Sequence, residues 1–294
     1  RNFSLHDVSL MKMEEIVEIA IGNKERALRL QELLRDSQES LLIDSIVMKL
    51  IPAVDSLCRH PLGNYLVQVL CKASQIMYHH VQNICRLNYA RFLENEFSSR
   101  VIQSCIEINP LFRLEILSLF SKNMKLASKN SATVFVVSAC IRACQNESEF
   151  SFFIEDFLSK PKDWFTSRWS KRILVSLVDS CSPSTLDEIA AKIYSKVRYF
   201  HLMLKDKYLT LVLLALLARE HNPTIRKLSF SLSRNILAYV NSRHFEFFLE
   251  KVNFKNRGSA VARAILEALD SLPIPPLYPT SSPQDFYHIH CAQS

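Results

Sequence analysis

The chain has 294 residues, of which 48% are hydrophobic and only 3 are glycine, and its 36 Lys and Arg against 29 Asp and Glu leave a net charge of +7. A chain of this length and hydrophobicity can bury a sizeable core, as one large domain or two smaller ones, which excludes a disordered protein. The scarcity of glycine excludes a fold built on tight hairpins or glycine-rich phosphate loops and favours helices. The basic excess suits a polyanionic partner, although it is equally typical of a basic soluble protein.

The N-terminal stretch RNFSLHDVSLMKMEEIVEIA lacks the continuous apolar segment of a secretory signal. Its carboxylates, Glu14, Glu15 and Glu18, are interpreted as a solvated helix face rather than as catalytic groups. The 8 cysteines show no C-x-x-C spacing and lie mostly among apolar residues, as Cys140 and Cys144 do. This usage predicts small buried side chains in a reducing, intracellular environment.

An octet pattern recurs along the chain, in which the first, second and fifth residues share one helix face and apolar residues occupy the opposite face. The octets begin at Ala27, Asn64, Ser99, Val134, Lys171, Lys207 and Ser259. Their fifth residues are Gln31, Gln68, Gln103, Ser138, Val175, Leu211 and Arg263, so the successive steps are 37, 35, 35, 37, 36 and 52 residues. A period near 36 residues predicts an all-α solenoid of helix pairs, each too small to bury its apolar face alone.

The segments between and after the octets fit this interpretation. The apolar run from Tyr208 to Ala218 is about half as long as a bilayer span, so it is predicted to be a buried helix and no membrane association is expected. The long last step predicts an added helix within residues 221–258. After Asp270 the prolines predict an extended tail.

Two octets carry a family resemblance. The stretches HPLGNYLVQVL, from His60, and FSSRVIQSCI, from Phe97, resemble the second helices of Pumilio-homology (PUF) repeats. The resemblance implies a right-handed, crescent-shaped solenoid whose concave face binds single-stranded RNA, with one repeat meeting one base. It covers roughly residues 20–270, so the expected organisation is a repeat domain over 1–270, with about seven recognisable repeats and an insertion before the last, followed by a proline-rich tail over 271–294.

The resemblance also implies roles for the face residues, because the first and fifth octet residues of the family reach the base edge and the second stacks between bases. Asn64 and Gln68 with Tyr65 match a set that favours uracil. The set that favours adenine is matched by Ser99, Gln103 and Arg100. In the first octet only the fifth residue, Gln31, matches the pattern. The later octets depart from it at Val134, Ser138, Val175 and Leu211. The last octet has Arg263, which suits a phosphate better than a base edge.

The second position is occupied by an aromatic ring or a guanidinium group in five successive octets. These residues are Tyr65, Arg100, Phe135, Arg172 and Tyr208, and each can lie flat on a base. Lys171 and Lys207 add positive charge beside this row and are weak candidates for phosphate contacts. The alternative is that Phe135 and Tyr208 are core residues and that the lysines are ordinary surface charges. Stacking with little edge recognition predicts single-stranded RNA binding with relaxed sequence preference.

The sequence therefore predicts an RNA-binding protein that is not an enzyme and needs no cofactor or metal. Catalytic motifs are missing, and His288, His290 and Cys291 lack a fourth ligand. The resemblance favours a divergent member that acts on ribosomal RNA precursors, with a sequence-specific regulator of messenger RNA as the alternative. A HEAT- or armadillo-like protein-binding scaffold is the second alternative. A monomer in the nucleus, nucleolus or cytoplasm is expected, with possible protein partners on the convex face.

Overall fold

The computed structural model describes residues 3–194, 202–203 and 206–217. This part of the chain contains helices and no β-strand. It includes the first six octets. The seventh octet with Ser259 and Arg263, the predicted insertion and the proline-rich tail lie outside the described residues.

The helices follow one another with short connections. In chain order they are α1 (Leu5–Leu10), α2 (Met13–Gly22), α3 (Lys24–Asp36), α4 (Ser40–Leu50), α5 (Val54–Cys58), α6 (Gly63–Ala73), α7 (Gln75–Leu87), α8 (Tyr89–Glu94), α9 (Ser98–Ile108), α10 (Pro110–Lys122), α11 (Met124–Ala127), α12 (Ser131–Ala143), α13 (Ser151–Ser159), α14 (Pro161–Thr166), α15 (Ser170–Ser180), α16 (Pro183–Tyr194) and α17 (Lys207–Leu217). Short 3₁₀ turns cover Ile51–Ala53 and Glu147–Glu149.

Each octet lies in one helix, and these octet helices are α3, α6, α9, α12, α15 and α17. Each octet helix packs against the next one along the chain, which produces a continuous stack. The helices that follow them, such as α7 and α10, form a second layer. The all-α solenoid predicted from the period is therefore confirmed.

The repeat unit differs from the predicted helix pair, because a third helix precedes each octet helix. In the middle of the chain these additional helices are α5, α8, α11 and α14, with only 5, 6, 4 and 6 residues. A segment of one or two turns is too short to show a helical period in its apolar residues. Sequence periodicity therefore detects the two long helices of each repeat and misses the short one.

The octet pattern is explained by burial. In octets two to six the third, fourth and seventh residues pack between the layers, as Leu66, Val67 and Leu70 do in α6 with at most 1% of their surface exposed. The first octet departs from this pattern, because its third residue, Arg29, is exposed. Removal of apolar surface from water is the main stabilising contribution to such a stack, at about 25 cal/mol per Å². The run from Tyr208 is likewise a largely buried helix. None of the described helices has the length and apolarity that a membrane crossing needs.

The cysteines also follow the prediction. Six of the seven that the structure describes are buried, and Cys144 is partly buried. Burial raises the pKa of the Cys58 and Cys140 thiols well above the ordinary value. Within the described residues Cys58, Cys71, Cys85, Cys105, Cys140 and Cys144 are free thiols, and no three His, Cys, Asp or Glu side chains converge as metal ligands.

Candidate nucleic-acid interface

The first five octet helices are each preceded by a capping side chain located four residues before the octet. These residues are Asn23, His60, Asn95, Asn130 and Ser167, and each accepts at least one backbone N–H of the first helical turn. Such acceptors satisfy N–H groups that have no partner inside the helix. The caps fix where each helix begins and therefore which residues face outward.

The row at the second octet position, formed by Tyr65, Arg100, Phe135, Arg172 and Tyr208, lies on the surface of the stack. Tyr65 is 41% exposed and Phe135 is 44% exposed. Arg100 is exposed as well, whereas Arg172 and Tyr208 are partly buried. The alternative that Phe135 belongs to the core does not agree with this exposure. In the first repeat the position is held by Leu28, which is 48% exposed and apolar.

Members of the second-position row contact one another across repeats. The Arg100 Nη1 atom donates a hydrogen bond to the Tyr65 hydroxyl at 2.7 Å. The Arg172 guanidinium carbon lies 4.5 Å from the ring centroid of Phe135 and 5.0 Å from that of Tyr208. Both distances are typical of cation–π contacts. The guanidinium of Arg172 thus occupies the space between two rings that a stacked base would need.

The first octet position is buried in the first four repeats, which corrects the base-edge roles predicted for Asn64 and Ser99. Asn64 has no exposed surface, and its Nδ2 donates to the carbonyls of His60 and Pro61, each at 2.8 Å. Ser99 is 1% exposed, and its Oγ donates to the carbonyl of Glu96 at 3.1 Å. These side chains satisfy carbonyls of the turn before the helix and have no surface to offer to a base in this state.

Gly63 starts α6 for a steric reason. A Cβ at this position would lie 2.9 Å from Leu57 Cδ2 and 3.0 Å from the Leu57 carbonyl oxygen. The glycine in the GNY stretch therefore allows a close approach of the turn to the preceding short helix α5.

Among the described repeats the fifth octet position carries glutamine in the first three only. Gln68 donates to Asn64 Oδ1 at 2.9 Å, and Gln103 donates to the Ser99 carbonyl at 3.2 Å. Both glutamines are partly buried, and Gln31 is 7% exposed. Each of these hydrogen bonds uses one amide N–H, so the amide oxygens of Gln68 and Gln103 stay available as acceptors.

Two cavities border this face. A cavity of about 610 Å³ brings Gln31, Tyr65 and Gln68 together and extends to the basic side chains Arg35 and Lys72. A second cavity of about 240 Å³ is lined by Glu96, Ser99, Arg100, Gln103, Ser131, Ala132 and Phe135. The predicted base-contacting residues of the first three repeats therefore converge on two concave sites.

Solved structures with the same architecture were found. The Puf3 RNA-binding domain bound to the Cox17 RNA 3′ UTR recognition sequence site B superimposes with a TM-score of 0.73 at 17% sequence identity, covering 90% of this chain and 74% of that chain. PUF-8 in complex with PBE-RNA gives a TM-score of 0.68 at 17% identity, covering 91% of this chain and 76% of that one. The RNA-binding domain of yeast Puf5p bound to SMX2 RNA gives 0.58 at 18% identity, covering 89% and 76%.

The chain has the PUF repeat fold. The low identity marks it as divergent within that fold. No family model and no curated protein sequence matches it.

Among the charged residues predicted beside the row, Lys171 is engaged within the PUF repeat stack. Its Nζ lies 2.6 Å from Oδ2 of Asp206, and its side chain is only 15% exposed. Asp206 also caps α17 by accepting the N–H groups of Tyr208 and Leu209. Lys171 thus joins two repeats, which corrects its interpretation as a phosphate contact or a solvated charge. Lys207 is exposed.

Sequence reasoning missed two features of the PUF repeats. The caps from Asn23 to Ser167 recur with the same steps of 37, 35, 35 and 37 residues as the octets, so alignment of the octets would have revealed them. Glu96, which lines the second cavity, lies in the turn before α9. It is outside the octet frame, and no pattern in the sequence marks it.

Proposed function

We propose that this protein binds single-stranded RNA along the second-position row, with bases entering between side chains of neighbouring repeats. The observation that supports this proposal is the continuous succession of rings and guanidinium groups on consecutive octet helices, from Tyr65 to Tyr208. Each stacked base contributes about 1–3 kcal/mol of affinity, and every base has a face that can stack. The solved PUF domains of the same fold are complexes with RNA, which supports the same ligand for this chain.

The proposed preference for single strands follows from stacking. In a duplex the base faces are covered by their neighbours, so a row of flat side chains has nothing to contact. The net charge of +7 adds a component that depends on salt, because neutralised phosphates release their counterions. The glutamines at the fifth position give the first three repeats some base preference. The later repeats offer only stacking, for which Arg172 has to move away from Phe135 and Tyr208.

The RNA class that we infer is a ribosomal RNA precursor, and the role is in ribosome assembly. A row with few base-edge groups suits a partner that is abundant and is positioned by other assembly factors, since it cannot select a short element with stringency. Messenger RNA is the second candidate, favoured by the 3′ UTR sequences in the Puf3 complexes. The two RNA classes also differ in compartment, nucleolar for the first and cytoplasmic for the second.

Fluorescence polarisation with labelled RNA tests the proposal. Single-stranded RNA should bind more tightly than the matched duplex, and the affinity should fall steeply as salt rises. Leu111→Ala serves as a matched control, because Leu111 is 74% exposed on α10, outside the octet face, and its loss should leave RNA affinity unchanged. Equal binding of both RNA forms would contradict the proposal. An absence of RNA binding would favour the protein-binding scaffold.

Crosslinking of the protein to RNA in cells, followed by sequencing of the bound fragments, tests the RNA class. Enrichment of ribosomal RNA precursor sequences is the expected result. Enrichment of messenger RNA 3′ UTRs would assign the protein to the regulators instead.

A further inference from the structure

The second-position row has one open interval in the described part of the chain. Arg100 leans toward Tyr65, to which it donates a hydrogen bond, and Arg172 contacts the rings on both of its sides. Between Arg100 and Phe135 lies the cavity of about 240 Å³. At about 30 Å³ per water this equals the volume of about eight water molecules, which is comparable to the size of one nucleobase. We call this cavity the Arg100–Phe135 slot.

Beside Arg100, three polar side chains of the slot come from repeat three, and one, Ser131, comes from repeat four. Repeat three supplies Glu96, Ser99 and Gln103, whereas repeat four supplies the ring of Phe135 with Ser131 and Ala132 at the start of α12. A base held between Arg100 and Phe135 would therefore turn its hydrogen-bonding edge toward repeat three. The identity of the preferred base depends on whether those three side chains offer donors or acceptors.

The slot presents an excess of acceptors. Ser99 Oγ donates to the Glu96 carbonyl, and one N–H of Gln103 is used by the Ser99 carbonyl. The Gln103 amide oxygen and both carboxylate oxygens of Glu96 stay available, and the Glu96 side chain is exposed to the slot. On the edge side, three acceptor oxygens stand against one amide N–H of Gln103 and the hydroxyl of Ser131. A base stacked on Arg100 would meet the guanidinium with its face, so this excess of acceptors favours a base edge with adjacent donors.

We propose that Glu96 makes the Arg100–Phe135 slot selective for guanine, an inference that rests on the proposed RNA-binding function. Guanine carries two neighbouring donors on its Watson–Crick edge, N1–H and the N2 amino group, and a carboxylate accepts both in a bidentate arrangement. Adenine, cytosine and uracil each have a single donor group on that edge, next to an acceptor that a carboxylate repels. Adenine, the base that Ser99 and Gln103 alone would predict, is therefore disfavoured.

Glu96 lies in a turn and belongs to none of the three octet positions, so the resemblance does not assign it a role. Its charge also argues for a base rather than a backbone ligand. A carboxylate repels phosphate, so in a groove that binds RNA it is tolerated where a base edge with donors meets it.

The experiment uses the full chain and an RNA selected from a random single-stranded pool. The selected sequence should contain a guanine, and its replacement by adenine should weaken binding by about 10-fold to 100-fold. Replacement by inosine, which lacks only the N2 amino group, should cause a smaller loss. In Glu96→Gln the amide presents one acceptor and one donor, so the ratio of guanine to adenine affinity should fall toward one. Glu155→Gln, an equal charge change at an exposed residue on α13, should retain the wild-type ratio.

The outcomes separate this inference from the function on which it rests. A selected RNA without guanine, or an unchanged affinity ratio in Glu96→Gln, would overturn the role of Glu96 while RNA binding stands. Failure of the wild-type protein to bind any single-stranded RNA would overturn the proposed function itself. Because Glu96 is exposed in a turn, the variant should fold like the wild type, and a melting curve measured beside each titration verifies this.

Discussion

The first three repeats and the next three share one fold but differ at the residues that face a ligand. Repeats one to three carry glutamine at the fifth octet position, whereas repeats four to six carry Ser138, Val175 and Leu211. The interval next to Arg100 is open, whereas Arg172 is packed between two rings. The difference shows that the buried third, fourth and seventh positions maintain the solenoid. The outward positions vary independently of the fold.

The two halves meet at a buried ion pair in the second layer. The Nη2 atom of Arg113 on α10 lies 2.9 Å from Oε2 of Glu149 in the turn before α13, and the two side chains are only 7% and 15% exposed. The pair connects repeat three to repeat four. It therefore couples the stability of repeats one to three to that of repeats four to six.

The largest effect is expected from Glu149→Gln. This change leaves the Arg113 guanidinium buried without its counter-charge, and loss of one partner of a buried pair destabilises by about 3 kcal/mol. Urea denaturation monitored by circular dichroism measures the free energy of unfolding. Glu155→Gln is the control and should change it by less than about 0.5 kcal/mol. A similar small change in Glu149→Gln would show that the halves are not coupled through this pair.

Asn64→Ala should lower the free energy of unfolding by about 1–3 kcal/mol, because the Pro61 carbonyl loses its donor in a buried site and the His60 carbonyl keeps only the Asn64 backbone N–H. The base preference of the protein should hardly change. The neighbouring Gln68→Ala should behave in the opposite way, with a loss of about 1–3 kcal/mol at one base of the RNA and little loss of stability. If Asn64→Ala relaxes base preference without loss of stability, its side chain leaves the turn when RNA binds.

Tyr65→Ala and Phe135→Ala compare the two halves directly. Both rings are more than two-fifths exposed, so each truncation should weaken single-stranded RNA binding by about 1–3 kcal/mol and barely change the melting temperature. Polarisation titrations and thermal melts of the same preparations measure both quantities. A stability loss of about 3–5 kcal/mol would indicate a core ring instead.

Arg172→Gln should have a smaller effect. It removes two cation–π contacts, each worth about 0.5–1 kcal/mol at a surface site. Because the Arg172 guanidinium already contacts the rings of Phe135 and Tyr208, Arg172→Gln should weaken RNA binding less than Arg100→Gln does. Equal losses of affinity in the two variants would mean that Arg172 leaves its rings to stack on a base, and that the contrast between the halves disappears in the complex.

The smallest effect concerns acidic pH. Burial is the largest single influence and disfavours the charged form of Glu149, but the hydrogen bond and charge of Arg113 together with the backbone N–H groups of Asn146 and Gln145 outweigh it and hold the pKa of Glu149 below the ordinary value of 4.5. Because the folded-state pKa is the lower one, this stabilisation is complete above a pH of about 4.5 and is lost as the pH falls through the folded-state pKa. Denaturation curves measured from about pH 6 to about pH 3 should show that the free energy of unfolding of Glu149→Gln declines less than that of the wild type. An identical decline in both proteins would contradict the linkage.

The sequence by itself determined the helical repeat and the outward direction of the second octet position in repeats two to four. An apolar residue at the third, fourth and seventh octet positions must be buried in a helix, so the period near 36 residues predicts the stack and places Tyr65, Arg100 and Phe135 on a common face. The cysteines and the apolar run of α17 were predicted for the same reason, because removal from water depends on residue type and local spacing.

Tertiary structure alone decided what those outward residues contact. The burial of Asn64 and Ser99 depends on how the preceding turn folds back, and the ion pair of Lys171 with Asp206 depends on the distance between repeats. The same holds for Arg172, whose guanidinium reaches two rings only because α12, α15 and α17 are stacked at the spacing of a cation–π contact. The ion pair of Lys171 and the cation–π contacts of Arg172 join residues about 35 positions apart in the chain. Their geometry is set by the packing of repeats, which a pattern of residue types along the sequence does not describe.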